Sequence, residues 1–465
     1  MQDYREYFKG KKITLMGLGL LGRGVGDAAF LAECGAIVTV TDKKTAAKLA
    51  ESVAKIERYP NILFHLGGHL LEDFTTADLV IKAAGVPLDA PEIAAATKAG
   101  VQVMMSTALF AKFAREAGAK IVGVTGTRGK STVTQMIAHS LISAAAKAPA
   151  DRRANIIVGG NVRGVSTLTM LPELYKGYPC IIVLELDSWQ LQGFGDLEIS
   201  PNVAVFTNFM PDHQNYYPDM DAYFADKVNI FKYQEDEDVL IVGRSVLKEV
   251  SAARPAAAPH VPPTIPADWQ LNVIGEHNRE NAAFAAAALR ALGLSEREIK
   301  SGLESFQPVE GRLQFVREVH GVKIYNDNNA TTPEATIAAL KAFDVGFRKS
   351  HISLICGGSE KGLDLKALIA EIQERVSQVI VLTDANYKGS ERLMGELKTA
   401  GLAFEEASSL EEAVEKGMKG RNGGNGGKGN GTLLFSPAFA SFGMFKNEYD
   451  RNDLFLRLIS ELRER

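Results

Sequence analysis

One segment, from Ile121 to Thr132, limits what this chain can fold into more than any other. It runs from an apolar stretch into a glycine-rich turn that ends in Gly129-Lys130-Ser131-Thr132. A strand, turn and helix start of this kind surrounds phosphate oxygens with backbone amides and the positive end of a helix. It also brings a lysine toward the β- and γ-phosphates and offers a hydroxyl to Mg²⁺. The segment predicts a phosphate-binding loop; the alternative is a tight turn with a surface lysine.

The residues that follow the turn favour the phosphate-binding interpretation. Apolar side chains recur there at helical spacing, at Val133, Met136, Ile137, Leu141 and Ile142. The turn departs from the standard pattern in one respect, because its glycines fall at positions 123 and 126 and Val124 stands five residues before Gly129. The residues expected to contact phosphate are Gly126, Thr127, Gly129, Lys130, Ser131 and Thr132.

Length and charge restrict the class of protein. A chain of 465 residues is long for a single core and suggests about three domains. The net charge of −4 gives no support for a nucleic-acid partner. Three widely spaced cysteines, Cys34, Cys180 and Cys356, indicate reduced thiols in a cytoplasmic protein. No signal-like segment and no apolar run of about 18 residues is present, so we expect neither secretion nor a membrane span.

Alternating strand and helix patterns divide the chain into three blocks, with approximate boundaries of 1–108, 109–308 and 309–465. This order predicts an α/β protein with parallel sheets: a Rossmann-like N-terminal domain, a central phosphate-loop domain and a Rossmann-like C-terminal domain. The proline-rich segment Ala253 to Trp269 is incompatible with a helix or an interior strand and predicts an extended connection. The Gly/Asn-rich stretch Arg421 to Gly431 predicts a mobile loop.

The first block opens with a second glycine-rich turn. A G-x-G-x-x-G motif, with glycines at Gly17, Gly19 and Gly22, follows an apolar strand, and Asp42 ends the next apolar run. This spacing is typical of dinucleotide binding, but it indicates only that a diphosphate or nucleotide lies at the helix start. A close-packed strand-helix turn is the alternative.

Two candidate ligands for a metal follow the central turn. Glu185 lies near the end of a continuous apolar run, at the edge of the sheet where the phosphate-binding loop is expected. His213 lies in a loop after the next strand and is a candidate metal or phosphate contact, with a structural histidine as the alternative. Lys227 alone has the pattern of a surface helix charge.

Further polar residues follow strands or precede helices in the last part of the chain. Asn278 lies before an alanine-rich helix, where it either caps that helix or contacts a purine. Asp327 ends a strand, and Pro333 stands at an expected first helical position. Each of these residues alone is weak evidence for a ligand site. Parallel sheets do, however, bind ligands at the ends of their strands, where these residues fall.

Taken together, these segments resemble the Mur ligases of peptidoglycan synthesis, in the family's order and over nearly the whole chain. The segments that carry the resemblance are Gly17-Leu-Gly-Leu-Leu-Gly22, Gly126-Thr-Arg-Gly-Lys-Ser-Thr132, Leu184-Glu-Leu-Asp-Ser-Trp-Gln190, Asp212-His213, Gly275-Glu-His-Asn278, Asn326-Asp327, Gly357-Gly358 with Lys361, and Ser436-Pro-Ala-Phe-Ala-Ser441 with Phe445-Lys-Asn447. The resemblance implies an ATP-dependent amide ligase with two Mg²⁺ sites. It implies UDP-N-acetylmuramoyl-L-alanine and glutamate as substrates, with D-glutamate favoured and L-glutamate or another amino acid as alternatives. We expect a monomer.

By position, the resemblance also assigns roles to individual residues. It implies catalytic roles for Lys130, His213 and Lys227, with Lys227 as the lysine that is carbamylated in this family. The metal ligands it implies are Ser131, Thr132, Glu185, His213 and Lys227. The further ATP contacts it implies are Asn278, Arg312 and Asp327. The contacts it implies to the UDP substrate or the amino acid are Gly17, Gly19, Leu20, Leu21, Asp42, Gly85, Asn161, Thr331, Lys361 and Ser441.

Three positions depart from the family pattern. Asn329 stands where the family has a lysine, Glu448 stands where an aromatic residue is expected, with Tyr449 one place later, and Asp187 replaces a frequent serine. The first two lie at or beside the implied amino-acid pocket. They bear on the identity of the amino acid more than on the class of reaction. An NAD-dependent oxidoreductase and an inactive nucleotide-binding regulator are the rival hypotheses.

Overall fold

The computed structural model describes residues 3–20, 22–87, 89–149, 153–162, 164–212, 216–343, 351–419 and 431–462. The chain divides into two compact units. One comprises Met1–Ile265 with Asn281–Leu303, and the other comprises Pro266–Glu280 with Glu304–Arg465. Helices alternate with largely parallel strands throughout, so the predicted α/β class is confirmed.

The first sheet has five parallel strands in the order β3-β2-β1-β4-β5. Its strands are β1 Lys12–Met16, β2 Ile37–Asp42, β3 Ile62–Leu66, β4 Leu79–Lys82 and β5 Gln102–Met104. Its helices are α1 Tyr4–Phe8, α2 Arg23–Glu33, α3 Ala50–Val53, α4 Leu71–Thr75, α5 Pro91–Lys98 and α6 Ser106–Glu116. The strand order reverses between β1 and β4, and at such a point a doubly wound sheet opens a crevice beyond its carboxyl ends.

The second sheet has six parallel strands in the order β11-β10-β9-β6-β8-β7. Its strands are β6 Lys120–Thr125, β7 Asn155–Gly160, β8 Cys180–Glu185, β9 Val203–Phe206, β10 Val239–Val242 and β11 Pro259–His260. The helices that follow them are α7 Lys130–Lys147, a 3₁₀ helix Leu168–Tyr175, α8 Ser188–Asp196, α9 Met220–Val228, α10 Leu247–Ala252, α11 Glu276–Ala291 and α12 Glu296–Ser305. The proline-rich segment contributes only the edge strand β11, as its composition requires.

The third sheet has the order β12-β13-β17-β14-β15-β16 and is mixed. Its strands are β12 Gln314–Val319, β13 Val322–Asn326, β14 Ile352–Cys356, β15 Val376–Leu382, β16 Glu405–Ala407 and β17 Gly431–Phe435. Its helices are α13 Pro333–Ala342, α14 Lys366–Arg375, α15 Lys388–Thr399, α16 Leu410–Lys419 and α17 Glu448–Glu461. The edge strand β12 is antiparallel to β13, because His320 and Gly321 both have positive φ and form a two-residue hairpin turn.

Several local predictions can be compared with these elements. The apolar repeat after the central turn forms α7, and Pro333 is the first residue of α13, as expected. The stretch Arg421 to Gly431 lies outside the described residues, apart from Gly431 at the start of β17. The three cysteines are buried and unpaired. None of the described helices combines the length and apolarity that a membrane span requires.

Candidate active site

The central glycine-rich turn joins β6 to α7 and has room only for glycine at two positions. Gly126 has φ 139° and Gly129 has φ 84°. A Cβ atom on Gly126 would lie 2.0 Å from Thr207 Oγ1, and one on Gly129 would lie 2.5 Å from Asn281 Oδ1. The chain therefore passes close to its neighbours at both positions while α7 begins at Lys130. This is the geometry that a phosphate-binding loop at a helix N-terminus requires.

The segment after β9 braces this loop. Asn208 accepts hydrogen bonds from Thr127 N through its carbonyl (2.9 Å) and from Arg128 N through Oδ1 (2.8 Å). Thr207 Oγ1 donates to Arg128 O (2.6 Å). Sequence reasoning assigned no role to Asn208, although its position directly after an apolar strand was a signal for one. The loop is thus held in shape by the chain itself.

Two lysine side chains converge on one carbonyl oxygen of the loop. Lys130 Nζ donates to Gly126 O at 3.0 Å, and Lys227 Nζ donates to the same oxygen at 3.1 Å and to Thr125 Oγ1 at 3.3 Å. Lys227 lies in α9 and is 1% exposed, so its interpretation as a surface charge is wrong.

This environment changes the pKa of Lys227. Burial, followed by the charge of Lys130, holds the pKa of Lys227 well below its ordinary value, against the opposing charges of Asp187, Asp212 and Asp226. The surroundings of Lys227 therefore favour the neutral amine more than water does.

Glu185 ends β8 beside the strand that leads into the loop, since it pairs in register with Val124. Its side chain is 6% exposed, and its Oε1 accepts from Asn161 Nδ2 (3.3 Å). Arg23, the first residue of α2, donates to Asn161 Oδ1 (2.6 Å), so Asn161 connects Glu185 to the first sheet's glycine loop. Arg23 was missed from the sequence because it resembles any basic residue in a first helical turn.

The structure describes only part of the predicted metal set. Ser131, Thr132 and Glu185 are half-buried or buried near the loop, and the hydroxyl and carboxylate oxygens they offer suit Mg²⁺. His213 lies outside the described residues. Within the described ranges, no cluster of three His, Cys, Asp or Glu side chains is arranged to hold a metal ion. The two Mg²⁺ sites therefore stay predictions.

The glycine loop after β1 is held by Asp42. The two carboxylate oxygens of Asp42 accept from Gly19 N (3.1 Å) and Lys44 N (2.8 Å), and its side chain is only 5% exposed. Leu20 is 59% exposed, and Gly85 is exposed in the segment after β4. Leu21 lies outside the described residues. In this structure, Asp42 supports the loop, and its predicted contact with a nucleoside stays a prediction.

The second unit contains the other predicted nucleotide contacts. Asp327 is 8% exposed, and its carboxylate accepts from Leu313 N (3.0 Å) and Ser436 Oγ (2.8 Å). Burial raises the pKa of Asp327 to about 7, although Ser436, Leu313 and the charge of Arg312 oppose this. Asn278 lies inside the first turn of α11, which begins at Glu276, and its Nδ2 donates to Ile274 O (2.8 Å).

The three residues assigned to the amino acid lie on loops of the third sheet. Lys361 Nζ donates to Thr331 Oγ1 (3.3 Å), so these two side chains meet. Ser441 is 2% exposed, and its carbonyl accepts from Tyr387 OH (3.3 Å), a residue that sequence reasoning missed. The loops after β14 and β17 are joined by the bond from Ser359 N to Ala440 O (2.9 Å).

The predicted site residues thus form two sets, one in each unit. The first unit holds the residues of both glycine loops with Asp42, Gly85, Asn161, Glu185 and Lys227. The second unit holds Asn278, Arg312, Asp327, Thr331, Lys361 and Ser441. Within its unit, each set is supported by hydrogen bonds between neighbouring loops.

Comparisons with known proteins give the family of this chain. Three family models match in order: a Mur ligase MurD-like N-terminal domain over residues 11–105, a Mur ligase middle domain over 124–261 and a Mur ligase glutamate ligase domain over 311–426. A protein of Roseiflexus sp. (strain RS-1) is 32% identical, over 97% of this chain and 98% of its own length. One from Anaeromyxobacter dehalogenans (strain 2CP-C) is 34% identical, also over 97% of this chain and 98% of its own length. Both are named UDP-N-acetylmuramoylalanine--D-glutamate ligase.

Solved structures share the fold. The UDP-N-acetylmuramate-alanine ligase MurC of Thermotoga maritima matches 97% of this chain and 99% of its own with a TM-score of 0.60 at 20% identity. The UDP-N-acetylmuramoylalanyl-D-glutamyl-2,6-diaminopimelate--D-alanyl-D-alanyl ligase of Acinetobacter baumannii matches 97% of this chain and 93% of its own with a TM-score of 0.58 at 17% identity. With three domain models matched in order and relatives above 30% identity over almost the full length, this chain belongs to the Mur ligase family.

Proposed function

We propose that this protein joins D-glutamate to UDP-N-acetylmuramoyl-L-alanine through an amide bond, with ATP as the energy source, in the synthesis of peptidoglycan precursors. The observation that carries the proposal is the pair Lys130 and Lys227 at the phosphate-binding loop. Support also comes from the full-length relatives, which are named for this reaction. An NAD-dependent oxidoreductase would leave the phosphate-binding loop without a role, so that hypothesis accounts for less of the chain.

The proposed reaction has two steps. The carboxylate of UDP-N-acetylmuramoyl-L-alanine attacks the γ-phosphorus of ATP, and ADP leaves with the electrons of the broken P–O bond. The amine of glutamate then attacks the acyl phosphate carbon, loses a proton and displaces inorganic phosphate. Negative charge builds on phosphoryl oxygens in both steps, so a fixed cation at the loop stabilises both transition states. We assign that charge to Lys130, whose Nζ donates to Gly126 O in the loop.

Lys227 would serve as a carboxylate after carbamylation. A neutral amine can add to CO₂ with loss of one N–H proton, which forms a carbamate with negative charge. The lowered pKa of Lys227 favours the neutral amine that this addition needs. The carbamate would then lie next to Lys130, so an anion would face the cation whose charge lowers the pKa of Lys227.

Mg²⁺ at this loop would neutralise phosphate charge and orient the transferring group. The residues that would hold it are Ser131, Thr132 and Glu185, with His213 and the Lys227 carbamate completing the predicted set. Asn278, Arg312 and Asp327 are proposed to contact ATP. The first sheet's glycine loop and Asp42 are proposed to contact the UDP moiety. The buried, unpaired cysteines are in keeping with the predicted reducing cytoplasm, and a monomer stays a prediction.

The amino-acid site is proposed to lie at Thr331, Lys361 and Ser441. A substrate with two carboxylates needs cationic and hydroxyl donors, and Lys361 meets the hydroxyl of Thr331. The preference for D-glutamate over L-glutamate rests on the relatives' names.

One assay of phosphate release tests the proposal. Purified protein with Mg²⁺, ATP and UDP-N-acetylmuramoyl-L-alanine is given D-glutamate, L-glutamate, a neutral or a basic amino acid. We expect phosphate release that depends on D-glutamate, with the amide product detected by mass. Turnover with another amino acid would change the substrate assignment only. Reduction of NAD, or nucleotide binding without phosphate release under any condition, would favour one of the rival hypotheses.

A further inference from the structure

One arginine of the second unit is wholly buried and holds two loops at once. Arg451 lies in the first turn of α17 and is 0% exposed. Its Nε donates to Asn328 Oδ1 (2.8 Å) and its Nη2 donates to Asn328 O (2.9 Å). Its Nη1 donates to Phe439 O (3.4 Å). The planar guanidinium therefore joins the segment after β13 to the segment after β17.

These two segments carry the hydroxyl residues proposed to bind the amino acid. Thr331 lies three residues after Asn328, and Ser441 lies two residues after Phe439. A change in the geometry of Arg451 would reach Thr331 through three residues of backbone and Ser441 through two. Arg451 makes none of these hydrogen bonds to the phosphate-binding loop between β6 and α7, which belongs to the first unit.

Asn328 is further fixed by its surroundings. Its Nδ2 donates to Glu448 O (2.8 Å), and its N–H donates to Asn326 Oδ1 (3.1 Å). Asn326 Nδ2 in turn donates to Asn452 Oδ1 (2.8 Å). The start of α17 is thus bonded at two points, Glu448 and Arg451, to the segment after β13 and at a third, Asn452, to the last residue of β13.

Burial of a guanidinium is costly, and a well-packed apolar side chain often gives equal or greater stability. Arg451 keeps a high pKa even so, since burial lowers it only to about 10 and the charges of Tyr387 and Glu448 oppose that decrease. Arg451 therefore stays charged at neutral pH. Its planar fork of N–H donors reaches three oxygen acceptors, an arrangement that a lysine ammonium cannot reproduce.

We propose that Arg451 is a positioning residue for the amino-acid site, aligning Thr331 and Ser441 through its bonds to Asn328 and Phe439. The proposal rests on the assignment of the second unit's loops to the amino-acid substrate. It extends that assignment to a residue that does not itself touch the substrate.

Two measurements on Arg451→Lys test the proposal, with Arg457→Lys, an exposed position on the same helix, as the matched control. In steady-state assays with whichever amino acid the wild type uses, we expect the KM for that amino acid to rise about tenfold. The KM for ATP should stay within about twofold, because only the alignment of one pocket is disturbed. In hydrogen-deuterium exchange of the full chain, amides of both loops should exchange faster in Arg451→Lys than in the control.

Asn328→Ala removes the acceptor of Arg451 Nε and the donor to Glu448 O but keeps the carbonyl that accepts from Arg451 Nη2. It gives a milder variant if Arg451→Lys does not fold. It should raise the same KM by about threefold and add little when combined with Arg451→Lys, because the two side chains act as one unit. Equal increases in both KM values, or faster loop exchange with an unchanged amino-acid KM, would overturn the inference and leave the proposed ligase intact. A wild type that ligates no amino acid would instead overturn the proposed function, and with it the inference.

Discussion

Lys227 and Arg451 are both buried basic residues, one in each unit, and their surroundings have different effects on the positive charge. Lys227 is 1% exposed and shares a carbonyl oxygen with a second ammonium group. Arg451 is 0% exposed and bonds three oxygens with no other cation among its partners. The pKa of Lys227 is held well below its ordinary value, whereas the pKa of Arg451 falls only to about 10.

This difference indicates two uses for a buried basic residue. An ammonium can lose its proton at modest cost when burial and a like charge oppose it, and it then becomes a nucleophile. A guanidinium keeps its charge and spreads it over several donors, so it is suited to hold backbone in place. Lys227 is accordingly expected to take part in chemistry, and Arg451 in geometry.

Removal of Lys227 should have the largest effect. Lys227→Ala is expected to lower turnover on the order of a thousandfold, about 4 kcal/mol of transition-state stabilisation, because a carboxylate near the transferring phosphate is lost. Added acetate should restore part of the activity by occupying the same place. Lys232→Ala, at an exposed lysine just beyond α9, is the matched control and should be near normal.

The measurement is phosphate release with and without acetate, together with the intact mass of the wild type under CO₂. Full activity of Lys227→Ala would show that burial of this lysine is structural. An inactive variant that acetate does not restore would separate the need for Lys227 from its carbamylation.

Removal of the neighbouring charge should have the next effect. Lys130→Met is expected to keep the fold and lower turnover about a hundredfold, roughly 3 kcal/mol, since the cation at the transferring phosphoryl group is lost. It should also raise the pKa of Lys227, because the like charge that lowers it is gone. Lys147→Met, at the exposed far end of α7, is the control. Near-normal turnover of folded Lys130→Met would remove the glycine loop from the mechanism.

Much of the fold could be predicted from local patterns. The continuous apolar run from Tyr178 to Leu186 contains β8, because a strand covered on both faces needs apolar residues on both. The start of α11 could not be placed in this way. It begins at Glu276, several residues before the alanine-rich stretch, since its first turn is polar and has no apolar periodicity.

Site residues could be predicted where they belong to a local sequence motif or follow a strand. They could not be predicted where their role depends on contacts with residues distant in sequence. Glycine spacing and strand ends were enough to place Lys130 and Glu185 at one sheet edge. The buried Lys227 donates a hydrogen bond to a carbonyl 101 positions away. The bonds of Arg451 span 123 positions to Asn328. No local pattern distinguishes such a cation from a surface charge.

A third buried cation, Lys82, sharpens the comparison at the level of stability. Lys82 ends β4, is 2% exposed and donates from Nζ to Val86 O (2.9 Å). Burial lowers its pKa from 10.5 to about 8, although the charges of Asp196, Asp226 and Asp187 oppose this. The surroundings of Lys82 are intermediate between those of the other two cations. Among the described residues, it does not share its acceptor with a second ammonium group, as Lys227 does, and it lacks the three oxygen acceptors of Arg451.

The smallest expected effect is the pH dependence of stability at Lys82. Because its pKa is lower in the folded than in the unfolded state, the unfolded chain binds more protons between pH 8 and 10.5, and stability rises with pH through that window. Below pH 8 burial of the charged lysine lowers the free energy of unfolding by the full amount, about 3 kcal/mol. This amount does not include the stabilisation from the bond to Val86 O. Lys82→Met should therefore melt a few degrees higher than the wild type at pH 7, with a smaller gap at pH 9.5. Lys98→Met, at an exposed lysine of α5, should show no such trend. A variant that melts lower than the wild type at pH 7, with the gap unchanged at pH 9.5, would mean that Lys82 is held as a stable cation like Arg451.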